Sequence, residues 1–226
     1  MSCCDLAAVE GQFTATIAER DLKQYRRRGV RGTTRLILAL LSEARIDDAT
    51  LLDVGGGIGV LLHELLDDGV TTAVEVEPAS AYIAVARAEA DRRGHAARVR
   101  FVHGALRSVE ADLAPAHVVT LDRVVCCDSD AELVSLAARK SRRFVALSLP
   151  RERWYVRCAI GLENTVRRLQ GNPFRAFVHS IAYIEQQLES AGFARTAVRR
   201  TLVWHVALYE RRTVSPGGAG DRFGVE

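Results

Sequence analysis

A run of glycines is the strongest sign of chemistry in this sequence. It lies between a short apolar segment and an amphipathic one, within Leu51–Gly59, and it contains Gly55, Gly56, Gly57 and Gly59. Glycine is needed where a backbone turns with positive φ or where a ligand lies against the chain. The first N–H groups of a following helix lack helical partners and favour a carboxylate or a phosphate. The run therefore predicts a turn from a strand into a helix that binds a cofactor.

The spacing of these glycines separates two classes of cofactor site. The dinucleotide fingerprint G-x-G-x-x-G fails in both frames, because its last position is valine when read from Gly55 and leucine when read from Gly57. The spacing that is present is Asp53-x-Gly55-x-Gly57-x-Gly59. It resembles the first motif of class I S-adenosylmethionine-dependent methyltransferases. This resemblance implies that Asp53 helps to hold the methionine ammonium group of the cofactor.

A carboxylate at the end of the next predicted strand is the second candidate. Such a group can accept hydrogen bonds from both hydroxyls of a ribose. Glu75 and Glu77 both fall there, and the stretch from Glu77 to Tyr82 is similar to the family's entry into the next helix, so we choose Glu77. It lies 24 residues after Asp53, near the offset of ~20 residues in a nucleotide-binding unit. The alternative is a loop acid without a ligand.

The third motif of the family is altered in this chain. The resemblance implies Gly-Asp after the third strand, with the aspartate near the adenine amino group, whereas the sequence has Gly104-Ala105-Leu106. We expect the backbone N–H of Ala105 to meet the adenine ring and Leu106 to cover its face. Asp122 ends the following strand at the same edge. The predicted binding set for S-adenosyl-L-methionine is Asp53, Gly55, Gly57, Gly59, Glu77, Ala105 and Asp122.

Residues 20–210 resemble one branch of the family, which includes magnesium-protoporphyrin O-methyltransferase. The basic segment Arg20–Gly29 before a capped helix is similar to the N-terminal lid of that branch, and so is Pro150-Arg151-x-x-Trp154 before a long helix. After the fourth strand the chain departs from the porphyrin enzyme, with Asp122-Arg123 followed by two valines and two cysteines. The resemblance implies a methyltransferase and leaves its substrate open.

Polar residues near the expected lid are candidates for the substrate side. A phenol or an amine acceptor needs a base, for which His179 and Tyr25 are the candidates, while a carboxylate acceptor needs none. A cap or a packing role is the alternative for His179. Together with Asp122 these residues form the predicted catalytic set. Two basic runs flank the crevice, and we expect them to meet an anionic small molecule through Arg27, Arg28, Arg151 and Arg153.

Alternating strands and helices must position these residues. The sequence predicts a helix over residues 6–28, a second one capped by Thr33 or Thr34, and then strands at residues 50–53, 72–77, 99–103, 118–122 and 143–149 separated by helices. That alternation predicts a parallel sheet. After Pro150 it predicts helices over residues 151–170 and 181–190. Two adjacent strands, residues 194–200 and 201–209, must then be antiparallel.

The predicted fold is therefore α/β, a Rossmann-like and mostly parallel sheet with a C-terminal antiparallel hairpin and an N-terminal helical lid. We expect the lid at residues 1–32 and the methyltransferase domain at residues 33–212, with a substrate cap inserted at residues 151–180. Residues 213–226, with proline, four glycines and no apolar periodicity, predict a disordered tail.

Composition narrows the class of protein further. The chain has 226 residues, 48% hydrophobic and 26% charged, with a net charge of +3, which is ordinary for a globular protein. There is no apolar run of ~20 residues and no signal-like N-terminus, so we expect a cytoplasmic protein. Cysteines occur as the adjacent pairs Cys3-Cys4 and Cys126-Cys127, and as Cys158; this pattern predicts neither disulfides nor a metal site.

Two other functions are compatible with the sequence. An RNA methyltransferase would use the basic run at residues 20–35, but Tyr25 is the only aromatic residue among those basic side chains, and RNA-binding surfaces interleave several. The sequence therefore argues against a nucleic-acid partner. A non-catalytic protein that binds S-adenosylmethionine is the other alternative, because Ala105 replaces the family's aspartate. The oligomeric state is open.

Overall fold

A seven-stranded sheet runs through the middle of the molecule. In the computed structural model, which describes residues 6–212, the strands lie in the order β3-β2-β1-β4-β5-β7-β6. Strands β1 to β5 are parallel to one another, whereas β7 is antiparallel to both β5 and β6. The predicted parallel sheet with a C-terminal hairpin is confirmed. The strands are β1 Thr50–Val54, β2 Thr72–Glu77, β3 Val99–His103, β4 Ala116–Asp122, β5 Ser141–Pro150, β6 Phe193–Arg200 and β7 Trp204–Arg211.

Helices cover both faces of this sheet. In the described part of the chain they are α1 Leu6–Gln12, α2 Ala15–Arg28, α3 Gly32–Glu43, α4 Val60–Asp67, α5 Ser80–Arg93, α6 Leu106–Val109, α7 Glu132–Lys140, α8 Trp154–Leu169 and α9 Ile181–Ser190. None of them is long and apolar enough to cross a membrane.

Neighbouring residues on the central strands face opposite apolar layers. Leu51 and Val118 pack into the layer that α3 and α4 cover, while Leu52 and Val119 pack into the layer that α7 and α9 cover. All four side chains are essentially inaccessible to solvent. Because both faces are buried, these strands consist of continuous apolar residues rather than alternating polar and apolar ones.

The N-terminal segment forms two helices, so the prediction of one helix over residues 6–28 is wrong. Between α1 and α2, Thr14 has an extended backbone (φ −78°, ψ 164°), and its carbonyl accepts the first hydrogen bonds of α2. Phe13, which lies in the break, packs edge to face against Tyr82 at 5.6 Å and against Phe174 at 5.5 Å. This tertiary contact explains the break that helical periodicity missed.

The helix after β5 begins three residues later than predicted. The N–H of Arg151 donates to the Val203 carbonyl (2.8 Å), and its guanidinium donates to the Thr201 carbonyl (2.9 Å). Arg151 therefore continues the contact between β5 and the hairpin, and α8 begins only at Trp154. The tail expected at residues 213–226 lies outside the described residues.

The two-layer core predicts a large difference between two leucines. Leu147→Ala, at a fully buried position on β5, should cost about 2–5 kcal/mol in the free energy of unfolding, because it leaves a cavity. Leu162→Ala removes the same atoms from α8, where the side chain is 67% exposed, and should change stability by less than about 0.5 kcal/mol. Urea denaturation of both variants measures the difference. Equal losses would contradict this placement of the core.

Candidate active site

The glycine run forms a tight loop between β1 and α4. Gly55 and Gly57 both have φ of 66°, a conformation that side chains disfavour. A Cβ on Gly55 would lie 2.7 Å from the Val124 side chain, and one on Gly56 would lie 2.7 Å from Oδ2 of Asp53. The loop therefore packs directly against Val124, which follows β4, and against the carboxylate of Asp53, which precedes the loop.

A cavity of about 410 Å³ opens at this loop. Of the predicted cofactor residues, Asp53, Gly55, Gly57, Glu77 and Asp122 line it. Gly59 and Ala105 are not among its lining residues; they precede α4 and α6 respectively. The opposite wall comes from the N-terminal segment and from one residue of the insertion, namely Val9, Phe13, Asp21, Gln24, Tyr25, Gly29, Val30, Arg31 and Phe174.

Asp53 is buried at the end of β1 and is only partly hydrogen-bonded. Its Oδ1 accepts from the Thr120 hydroxyl on β4 (2.6 Å), whereas Oδ2 has no hydrogen-bond partner among the described residues. Burial raises the pKa of Asp53 to about 7, with further increases from the nearby Asp122 and Glu77 carboxylates. An unpartnered carboxylate oxygen is costly to bury, so it marks a place where a positive or hydrogen-donating ligand group would be favourable.

Glu77 joins the glycine loop to the start of α5. Its carboxylate accepts from the N–H of Gly57 (3.0 Å) and from the N–H of Ala79 (2.8 Å). Burial raises the pKa of Glu77 to about 7, although these two hydrogen bonds oppose the increase. Each carboxylate oxygen can accept a second hydrogen bond, so Glu77 has capacity left for hydroxyl groups in the cavity.

Glu75, the alternative acid on β2, lies behind the loop rather than in the cavity. It is fully buried, and neither of its carboxylate oxygens has a partner among the described residues. Its Oε2 and the Nε2 of His63 each lie 3.1 Å from where a Cβ on Gly59 would be. Burial, together with repulsion from Asp53 and Glu77, raises the pKa of Glu75 well above its usual value.

His63 continues this buried polar cluster towards the surface. Its Nδ1 lies 3.1 Å from Nδ1 of His95, whose Nε2 lies 2.9 Å from the Asp67 carboxylate. Burial and the neighbouring His95 lower the pKa of His63 to about 4, so the ring is neutral at pH 7. The sequence contains no motif for this cluster, because its members come from α4, β2 and the loop after α5.

Asp122 anchors the third helix to the sheet edge. Its Oδ2 accepts from the Thr34 hydroxyl and its Oδ1 from the Ser148 hydroxyl, both at 2.6 Å. The sequence predicted that Thr33 or Thr34 caps α3, and this is wrong. Arg31 holds the N-cap position, and no side chain forms a capping hydrogen bond there. The next residue, Arg123, has a left-handed backbone with φ of 59°. Such a conformation in a non-glycine residue is often found at functional sites.

The other two predicted catalytic residues, Tyr25 and His179, already have hydrogen-bond partners within the protein. The Tyr25 hydroxyl lies at the cavity wall between Glu64 and Arg93, donating to the former and accepting from the latter. Burial and Glu64 raise the pKa of Tyr25 above its usual value, which makes the phenol a poorer base near pH 7. The His179 ring donates from Nε2 to the Val125 carbonyl (3.1 Å), and His179 is not among the cavity residues.

Different arginines line the cavity from those the sequence suggested. Arg31 and Arg123 lie in its wall, while Arg27, Arg28, Arg151 and Arg153 do not. The aromatic wall of Phe13, Tyr82 and Phe174 was also missed. Tyr82 had a detectable signal, since it lies on the first turns of the helix after Glu77; Phe13 and Phe174 had none, because each reaches the cavity through a tertiary contact. Within residues 6–212 no group of His, Cys, Asp and Glu side chains could hold a metal ion.

Comparison with known proteins gives structural neighbours alone. No family model matches the chain, and no curated protein sequence matches it either. Magnesium protoporphyrin IX methyltransferase from Synechocystis PCC 6803, with bound SAH, superposes with a TM-score of 0.67 at 17% identity, over 92% of this chain and 100% of that one. The chain has the fold of class I methyltransferases.

Two further structures extend the comparison. The same Synechocystis enzyme with bound SAM gives a TM-score of 0.65 at 16% identity, over 92% of this chain and 97% of that chain. The cyclase SpnF gives 0.60 at 12% identity, over 79% of this chain and 80% of that one. Since the fold also occurs in a cyclase, it does not by itself assign methyl transfer.

The buried acids predict a pH dependence of stability. A carboxyl group whose pKa is raised by folding binds its proton more tightly in the folded state, so stability falls as pH rises from its unfolded pKa to its folded one. Glu75→Gln removes such a group. We expect a higher melting temperature than wild type at pH 8, by about 2–4 °C per kcal/mol, and little difference at pH 4.5.

Glu89→Gln is the matched control, with the opposite sign. Glu89 is buried between Arg92 and Arg26, and its hydrogen bonds to these guanidinium groups lower its pKa to about 2. Its contribution is complete above its unfolded pKa and is lost as pH falls towards 2, so the variant should melt lower than wild type at pH 8. Scanning calorimetry at both pH values tests the pair. Destabilisation of Glu75→Gln at pH 8 would refute the assignment of Glu75 as a penalised acid.

Proposed function

We propose that this protein is an S-adenosylmethionine-dependent methyltransferase that acts on a small anionic molecule by direct displacement. The observation that carries the proposal is the buried carboxylate of Asp53, which has an unpartnered Oδ2 beside the glycine loop and belongs to a residue that lines the cavity. Glu77 lies on the same wall. A ligand with a cationic end and a ribose suits this pair of carboxylates.

The donor set favours S-adenosylmethionine over a dinucleotide. S-adenosylmethionine carries an ammonium and a sulfonium group, so two carboxylates stabilise it, whereas they would repel the pyrophosphate of NAD. Asp53 would hold the ammonium group, and the free acceptor capacity of Glu77 would hold the ribose hydroxyls. The Synechocystis neighbour, crystallised with SAM and with SAH, supports the same cofactor.

The chain's own contribution to catalysis would be alignment and exclusion of water. When bound, the cofactor supplies a methyl group already activated by its sulfonium. Helices α1 and α2 and Phe174 wall the cavity opposite the glycine loop, so an acceptor between them would be held in line and shielded from solvent. Such positioning can contribute up to ~7–11 kcal/mol to lowering the barrier.

The occupied polar groups favour an acceptor that needs no base. The Tyr25 hydroxyl is held between Glu64 and Arg93, and both oxygens of Asp122 accept hydrogen bonds. An ionised carboxylate can attack the methyl group without losing a proton. Arg31 and Arg123, both exposed at the cavity, would bind its charge.

Cofactor binding can be measured before any substrate is known. Isothermal titration calorimetry should detect binding of S-adenosylmethionine or its demethylated product, and none of NAD. Asp53→Asn should weaken binding by about 1–3 kcal/mol, or about 5- to 150-fold, since it removes the charge and keeps the shape. Asp91→Asn, at an exposed position on α5, is the control and should leave the affinity unchanged.

The same titration should depend on pH in a defined direction. A cationic ligand favours the ionised forms of Asp53 and Glu77, whose pKa values are about 7 in the free protein. Affinity should therefore rise between pH 5.5 and pH 8, with release of protons on binding below about pH 7. Affinity that falls over this range, or equal binding of NAD, would refute the cofactor assignment.

The two cavity arginines can be tested once a labelled-methyl screen of carboxylic acids has found a substrate. Arg31→Gln and Arg123→Gln should each raise KM about 10-fold or more for the loss of a charged hydrogen bond, with the cofactor Kd unchanged. Arg153→Gln, outside the cavity wall, should leave KM unchanged. If only Arg153→Gln raises KM, the substrate binds elsewhere; transfer to RNA in place of acids would refute the small-molecule proposal.

A further inference from the structure

Most of the strongly exposed large apolar side chains of the described chain lie in one region. Residues 6–212 include eight such side chains, and two of them, Leu6 and Tyr183, lie on α1 and α9. The other six belong to α8 and to the turn between β6 and β7. We call them the α8 patch: Trp154 (76% exposed), Leu162 (67%), Val166 (43%), Leu169 (83%), Leu202 (74%) and Val203 (39%).

The helical part of the α8 patch follows one face of α8. Trp154, Leu162, Val166 and Leu169 are separated by eight, four and three residues, which places them on the same side of an α-helix. Val156 is the only residue of α8 that is buried. The helix therefore presents most of an apolar stripe to solvent, and packing within the described chain does not account for it.

The turn joins this stripe at the start of α8. The Tyr155 hydroxyl donates to the Leu202 carbonyl (2.7 Å), and the N–H of Arg151 donates to the Val203 carbonyl (2.8 Å). These contacts hold Leu202 beside the N-terminal end of α8, where Trp154 lies. The α8 patch is thus one surface built from two elements that are fixed to each other.

The rim of the α8 patch is positively charged. Arg153 and Arg168 flank the two ends of α8, and Arg200 precedes the turn; all three are exposed, and no salt bridge is found for them among the described residues. The acids of this region, Glu152 and Glu163, pair with neighbouring arginines. A partner surface that is both apolar and negatively charged would complement it.

A second copy of this chain does not fit that rim. Two α8 patches face to face would bring unpaired arginines of like charge together in the surface they bury. The C-terminal residues 213–226 follow Arg212, just after the end of β7 that is opposite the turn. They contain only three large apolar residues, so they are a poor match for the six apolar side chains of the α8 patch.

We propose that the α8 patch docks this protein on an anionic lipid surface. An apolar helix face with an exposed tryptophan and flanking arginines is the arrangement that lies in a membrane interface. The most exposed side chains protrude singly from a helix and a turn, and a fluid interface accepts such protrusions without a complementary pocket. The arginine rim then contacts lipid phosphates. This inference does not depend on the proposed methyl transfer.

The α8 patch is also linked to the cavity. The Arg167 guanidinium lies over the ring of Phe174 at 5.2 Å, and Phe174 is part of the cavity wall. The Asn164 side chain donates to the Ala176 carbonyl (2.8 Å) and accepts from the Ala176 N–H (3.0 Å). Docking of α8 therefore places the insertion side of the cavity beside the lipid.

Vesicle co-sedimentation of the full chain tests the proposal. We expect binding to vesicles that contain about 30% phosphatidylglycerol, and about 10-fold weaker binding to pure phosphatidylcholine. Trp154→Ser combined with Leu202→Ser should reduce binding about 10-fold or more, and so should Arg153→Gln combined with Arg168→Gln. Tyr183→Ser, an exposed apolar position on another helix, is the control and should bind like wild type.

Circular dichroism melting shows whether each variant is folded, since all the changed positions are exposed. A blue shift of tryptophan emission on adding anionic vesicles, lost in Trp154→Ser, would report insertion directly. The proposal is overturned if the wild-type chain does not bind anionic vesicles, or if the patch variants bind as well as wild type. It is also overturned if ultracentrifugation gives a dimer that Leu162→Ser and Leu169→Ser abolish, because the second copy then covers the patch.

Discussion

Three carboxylates are buried within one end of a parallel sheet, and the surrounding structure is organised around their charge. Asp53, Glu75 and Glu77 come from β1 and β2, whose carboxyl ends meet at the same edge. No arginine or lysine pairs with any of them among the described residues. Burial raises the pKa of all three carboxyl groups, and repulsion from neighbouring carboxylates raises it further. The glycine loop compensates in part, because the Gly57 N–H donates to Glu77 and the absence of a side chain at Gly56 lets the backbone approach Asp53 and Glu75.

Residues at the carboxyl edge of the sheet and on α5 hold the N-terminal part of the chain over the cavity. Asp122 holds Thr34 on α3, and the Tyr82 hydroxyl donates to Asp21 on α2 (2.7 Å). Phe13 completes the contact between Tyr82 and Phe174. The cover of the cavity is thus held to α5 by the Tyr82–Asp21 hydrogen bond and by the aromatic cluster, while α3, which follows it, is held to the sheet edge by Asp122. Asp53 and Glu77 are buried where they line this cavity, and burial strengthens their interaction with any charge nearby.

Acidic and basic side chains occupy different parts of the molecule. Around the glycine loop the buried groups are acidic, which suits a cationic ligand, whereas the cavity mouth has Arg31 and Arg123. The α8 patch adds an exposed apolar surface with exposed arginines at its rim, beside the insertion that supplies Phe174. The buried acids favour cationic groups, whereas the exposed arginines favour anionic ones.

The sequence alone determined the order of the seven strands along the chain, the antiparallel hairpin and the glycine loop, since each follows from local periodicity or from spacing within one turn. It also placed Asp53 and Glu77 at the correct strand ends. Only the tertiary structure decided that Glu77 faces the cavity while Glu75 lies behind the loop, and that the hydroxyl of Tyr25 is held by Glu64 and Arg93. The tertiary structure likewise decided that Arg31 and Arg123 line the cavity, rather than the four arginines predicted from the sequence. These outcomes depend on contacts between residues far apart in the chain, such as Thr34 and Asp122, which no local pattern encodes.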